Sequence, residues 1–160
     1  MCGIVGIWNI DGALVDDGVL DRFTDSLAHR GPDGRGTFVE SEGNLGLGHR
    51  RLAILDITES GHQPMSYEGR RYWITFNGEI YNFKKLRKNL EKIGIFFKSN
   101  SDTEVLLKLY QTKKEKMLDE IEGMFSLVIY DKIKKVIFLA RDRFGIKPLY
   151  YINFNNILVF

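Results

Sequence analysis

Apolar positions along the chain change their spacing several times, and each change marks a structural element. Residues 4–10, IVGIWNI, are rich in β-branched and aromatic side chains and end at Asp11-Gly12, which predicts a buried strand closed by a turn. Asp16 and Asp17 are suited to cap a helix whose Val19, Leu20, Phe23 and Leu27 share one face, and HRGPDGRG (29–36) then breaks it into a loop. Residues 46–55 and 71–77 have strand character and are separated by the turn-rich loop TESGHQPMSYEG. Phe83, Leu86, Leu90 and Ile93 return to helical spacing until Gly94. Ser101-Asp102-Thr103-Glu104 has the S-x-x-E form of a capping box and leads into a third helix carrying Val105, Leu106, Leu109 and Tyr110. After a short helical piece over 117–121, the segments MFSLVIYD, KVIFLARD, LYYIN and ILVF read as hairpin-like strands.

The order strand, helix, strands, two helices, strands fits a layered α+β domain with helices on the outer faces of antiparallel sheets, and disfavours β-α-β repeats. With 160 residues and 44% apolar content the chain is long enough for one domain with a real core. A net charge of +2, spread over the sequence, argues against a dedicated nucleic-acid surface. The opening apolar run is too short for a membrane span and lacks the form of a signal peptide. A single cysteine cannot form an internal disulfide, so a cytoplasmic location is the default expectation.

That cysteine stands directly behind Met1. Aminopeptidases generally remove an initiator methionine that precedes a small residue, which would leave Cys2 with a thiol and a free α-amine. Such an amine titrates near neutrality and suits the task of taking the thiol proton; on position alone, a buried core cysteine is equally consistent. FNGEIYN (76–82) offers a side-chain amide at Asn77 and an unhindered N–H at Gly78, two natural oxyanion donors, although Asn-Gly is also the commonest two-residue hairpin turn. GHRRLAILD places Arg50 and Arg51 in an apolar strand, where alternation turns one of them inward, toward a carboxylate ligand or an internal acid. Asp102 serves either the helix dipole or a ligand ammonium. His29, His49, His62 and Cys2 lack metal-ligand spacing, so no metal is expected.

Together MCGIVGI, HRGPDGRG, GHRRLAILD, FNGEIYNF, SNSDTEVLL, GMFSLVIYD and LARDRFGIKPLYY resemble the class II glutamine amidotransferase domain, and more narrowly the N-terminal half of glutamine-dependent asparagine synthetases. The resemblance covers residues 1–160 and implies the N-terminal-nucleophile hydrolase fold, a four-layer αββα sandwich with two antiparallel sheets. It further implies that Cys2 attacks the side-chain amide of glutamine, that Asn77 and Gly78 form the oxyanion hole, and that Arg51 and Asp102 hold the substrate α-carboxylate and α-ammonium. Glu79 also corresponds to a substrate contact, Leu52 and Ile54 to the pocket lining, and Arg30 to a residue that helps close the pocket. The ammonia would serve asparagine synthesis from aspartate in a synthetase domain or partner subunit, where ATP and magnesium would act; this domain itself would need no cofactor. No Gly-rich pyrophosphate loop occurs in the chain, so the expectation is a glutaminase domain lacking its C-terminal edge and its synthetase; an exposed sheet edge after Phe160 would favour an idle remnant. A homodimer is compatible with this reading, as are a different ammonia acceptor and a catalytically idle regulatory remnant of the same fold.

Overall fold

The computed structural model describes residues 1–54, 58–67 and 69–160. Strands β1 (Gly3–Asn9), β2 (Gly34–Val39), β3 (Leu45–Arg51), β8 (Ile152–Phe154) and β9 (Ile157–Val159) build one antiparallel sheet in the order β2-β3-β1-β9-β8. Strands β4 (Met65–Tyr67), β5 (Tyr72–Ile80), β6 (Gly123–Asp131) and β7 (Val136–Arg141) build a second, in the order of the chain. Helix α1 (Asp17–Asp25) covers the outer face of the first sheet, and α2 (Phe83–Lys92) and α3 (Asp102–Lys113) cover that of the second. The result is the expected αββα sandwich. Among the described residues no helix is long and apolar enough to cross a membrane.

Strand alternation explains the layering, because the inner strands are buried on both faces. In β1, Val5 and Ile7 pack with Leu20 under α1, whereas Ile4 and Trp8 turn to the inter-sheet core around Leu45, Leu47, Val128 and Tyr130. In β6, Leu127 and Ile129 face α2 and α3 while Val128 and Tyr130 face the first sheet. Asp16 caps α1 by accepting the Val19 N–H at 2.9 Å. Ser101 caps α3 by accepting from Thr103 N–H at 3.1 Å. The capping box is not reciprocal, however: Glu104 reaches past Ser101 to the N–H groups of Lys98 and Ser99, and so ties the preceding loop to the helix.

Several boundaries differ from the pattern-based expectation. The segment expected to be loop from 29 onward becomes β2 at Gly34, and the loop between the two expected strands contains β4; both are edge strands, specified by the neighbour they pair with more than by their own alternation. Strand β3 ends at Arg51, earlier than expected; Leu55 of the expected strand and Glu68 of the following loop, with Asp56 and Ile57 between the two, lie outside the described residues. Phe160 does not lie on a sheet edge. Strand β9 is an inner strand, Phe160 exchanges both backbone hydrogen bonds with Gly6 (3.0 and 3.1 Å), and its ring fills the space a Cβ on Gly6 would need. The outer strand is β8, whose Ile152 and Phe154 are exposed.

Candidate active site

Cys2 sits immediately before β1, where Gly3 pairs with Arg50, and this places its thiol against the chain leaving β3. The Leu52 N–H donates to Cys2 Sγ at 3.3 Å, and the thiol faces the Leu52 carbonyl at 3.6 Å. Arg30 fixes the Cys2 backbone from the other side, its Nε donating to the Cys2 carbonyl at 3.2 Å. Burial pushes the Cys2 thiol above its ordinary range, opposed by the Leu52 N–H and by the positive charges of the chain terminus and Arg51. A thiol so placed needs a local proton acceptor to become a nucleophile.

The end of β5 forms the facing wall. Asn77 and Gly78 do not turn the chain; they lie inside a strand paired with β6 from Tyr72 to Ile80. Within a strand the N–H and C=O of one residue point to the same side and alternate along the chain. The Phe76 N–H is taken by Gln63 Oε1 at 2.7 Å, and the Ile80 N–H by Asp102 Oδ2 at 3.1 Å, both on the side away from β6. Gly78 shares their parity, so its N–H points between these two side chains into the cleft. The buried Asn77 side chain has no hydrogen-bond partner among the described residues and lines the same cleft. His49, fully buried, donates from Nε2 to the Phe76 carbonyl at 3.1 Å; burial holds it neutral, with its pKa lowered to about 3.

Two opposite charges line the cleft, Arg51 and Asp102. Leu45, Leu47, His49 and Arg51 share the face of β3 turned toward the second sheet, which resolves the choice between the two arginines. Arg51 lines the cleft, with Nη1 donating to the Thr58 carbonyl at 2.9 Å, whereas Arg50 turns toward Gly31 and Asp25. Asp102, the first residue of α3, is 4% exposed. Burial, helped by the charge of Glu79, pushes its carboxyl up to about 6 in spite of the Ile80 N–H bond. Below that value the native state holds a proton that an unfolded aspartate, near 3.8, has already released, so ionising Asp102 costs stability as pH rises from about 4 to 6.5. Asp102→Asn is therefore expected to stabilise the fold by about 1–3 kcal/mol at pH 7 and by only about a third of that at pH 4.5. Denaturant unfolding of both proteins at each pH checks this, and the acid sensitivity contributed by His49 cancels in the comparison.

The cleft thus gathers Cys2, Asn77, Gly78, Arg51, Leu52, Ile54, Glu79 and Asp102. Arg30 does not line this cleft but an adjoining apolar cavity of about 280 Å³ that Cys2 and Asn77 also line, with Phe23, Leu27, Leu149 and Phe160. Gln63, His49 and Lys147 are participants that motif reading passed over. Gln63 binds Phe76 through its Oε1 and Thr103 through its Nε2 at 3.2 Å, extending the ladder where β4 stops. Among the described residues no group of three or more His, Cys, Asp or Glu is placed to hold a metal ion.

An αββα sandwich with a cysteine at the head of an inner strand, its thiol in the cleft between the sheets, has the architecture of the N-terminal-nucleophile hydrolases. A family model described as the glutamine amidotransferase domain matches residues 1–160, and the chain belongs to that family. It is 44% identical, over its whole length, to asparagine synthetase [glutamine-hydrolyzing] 1 of Bacillus subtilis, of which it covers 25%. It is 40% identical, over 94% of its length, to a putative asparagine synthetase [glutamine-hydrolyzing] 2 of Methanocaldococcus jannaschii, covering 32% of that protein. The chain therefore spans a quarter to a third of these relatives. The fold also matches glutamine phosphoribosylpyrophosphate amidotransferase from B. subtilis, with a TM-score of 0.80 at 21% identity over 99% of this chain and 41% of that one.

Proposed function

We propose that the chain hydrolyses glutamine to glutamate and ammonia through a γ-glutamyl thioester on Cys2. Arg51 holds the substrate α-carboxylate and Asp102 its α-ammonium, which fixes the amide carbon before the thiol. With Met1 removed, the Cys2 α-amine takes the thiol proton and Sγ bonds to the amide carbon. The oxyanion that forms accepts hydrogen bonds from the Asn77 amide and the Gly78 N–H. The C–N bond then breaks, the ammonium of Cys2 returns its proton to the leaving nitrogen, and ammonia departs. Water attacks the thioester, Sγ leaves, and glutamate is released with the thiol restored. The observation that carries this reading is the convergence on one cleft of a thiol, the Asn77 amide and Gly78 backbone, and a pair of opposite charges at Arg51 and Asp102.

The names of the relatives support asparagine synthesis from aspartate as the use of the ammonia. ATP and magnesium then act in a synthetase domain or subunit joined to this one. The test is intact-mass spectrometry before and after exposure to a diazo-ketone analogue of glutamine. Loss of one methionine followed by a single adduct mapped to Cys2 is the expected result. Retention of Met1 with no adduct, or an adduct elsewhere, overturns the assignment.

A further inference from the structure

Lys147 is buried, 5% exposed, and lines the same cleft as Cys2. Its position is rigidly set. The Asp142 carboxylate accepts the backbone N–H groups of Phe125, Phe144, Ile146 and Lys147 at 2.9–3.1 Å, pinning the segment that carries the lysine to the end of β6. That carboxylate is occupied by backbone, and among the described residues no other acid pairs with Lys147. Its Nζ instead donates to Met1 Sδ at 2.9 Å, a thioether and so a weak acceptor. A buried ammonium without a carboxylate is costly, and retaining one in a cleft calls for a reason.

Met1 is the residue whose removal frees the Cys2 amine. Its loss takes away the thioether that accepts from the Lys147 ammonium, in the cleft that Cys2 also lines. We propose, resting on the reaction just described, that Lys147 is a positioning residue that sets the protonation of the freed Cys2 amine, its fixed positive charge favouring the neutral, basic form. Two neighbouring cations disfavour each other, so the amine gives up its proton at lower pH. The other charged groups around Cys2 are Arg51 at the end of β3, Arg30 on the Cys2 carbonyl, Glu79 on β5 and Asp102 on α3. Arg51 and Asp102 are assigned to the substrate's two charges. Glu79 and Asp102 would hold the amine protonated, and Lys147 offsets them.

The test uses the Met1-free chain as wild type, Lys147→Met and Lys147→Arg. Because the sequence has one cysteine, 13C-labelled cysteine reports a single site by NMR as pH is varied. Lys147→Met removes the charge at nearly constant volume, and Lys147→Gln is a second neutral replacement should it fail to fold. The expected result is a rise of about one pH unit in the lower apparent pKa of the Cys2 thiol–amine pair in the neutral variants. The acid limb of kcat/KM for glutamine should rise equally, and Lys147→Arg should stay within a few tenths of wild type. An unmoved titration overturns the proposal, as does a raised KM with the limb unchanged, which would make Lys147 a substrate ligand. A titration that moves in a protein unable to release ammonia from glutamine sustains the role of Lys147 and removes the glutaminase reading instead.

Discussion

Cys2→Ala is expected to lower glutamine hydrolysis by at least about 10⁴-fold while leaving the fold as it is. The two halves of this expectation have separate physical grounds. Catalysis is abolished because, among the described residues, no other group in the cleft offers a nucleophilic thiol or hydroxyl with a base on its own backbone; Ser101 and Thr103, which also line it, are engaged at the α3 cap and on Gln63. The fold survives because Cys2 contributes to none of the three apolar clusters. Alanine removes the two sulfur interactions with the Leu52 peptide, whereas the Arg30 bond to the Cys2 carbonyl involves backbone on the Cys2 side and persists. A sulfur acceptor at 3.3 Å is weak, so the thermal midpoint should shift by no more than about 2 °C. Ammonia release and thermal melting of the same preparation decide the matter. Full activity in the variant would place the nucleophile elsewhere, and a collapsed midpoint would make Cys2 a structural residue.

What the sequence disclosed of this site depended on whether a residue's role was encoded nearby. Cys2 was legible from its place behind Met1, and Asp102 from its place in a helix-start motif. Alternation as applied left Arg50 and Arg51 open, and only the family resemblance pointed to Arg51. Starting the alternation at Leu45 would have done so, because Leu45, Leu47, His49 and Arg51 face the opposite sheet together. Asn77 and Gly78 carried a misleading local signal, since Asn-Gly favours a hairpin; the long pairing of β5 with β6 overrides that preference. Gln63 and Lys147 were not legible. Gln63 acts 13 residues away on Phe76, and Lys147 reaches Met1 from the far end of the chain, so only the closed sandwich brings these pairs together. The same reasoning separates the strands. Those with apolar alternation on two buried faces were legible, whereas β2 and β4 exist because β3 and β5 offer them an edge.

Gly78→Ala should have the second largest effect, and it tests the oxyanion wall through geometry. Gly78 lies opposite Phe125 where β5 and β6 run close together, and an added Cβ would collide with the Met124 carbonyl oxygen and the Phe125 Cα. Both atoms are backbone, so no rotamer change relieves the overlap and the strands must separate locally. The expected cost is about 2–3 kcal/mol of stability. The displaced strand also carries the Gly78 N–H and the adjoining Asn77 amide away from the Cys2 thiol. Loss of one oxyanion donor lowers kcat by about 10²–10³-fold, and moving both donors should do at least as much. Because Arg51 and Asp102 are held by Thr58 and by Ile80 rather than by Gly78, binding of a free glutamine zwitterion should weaken far less than turnover. Steady-state kinetics with equilibrium unfolding separates these effects. A variant that loses stability but keeps kcat would remove Gly78 from the oxyanion site, and one that folds and turns over like wild type would contradict the close approach of β5 and β6.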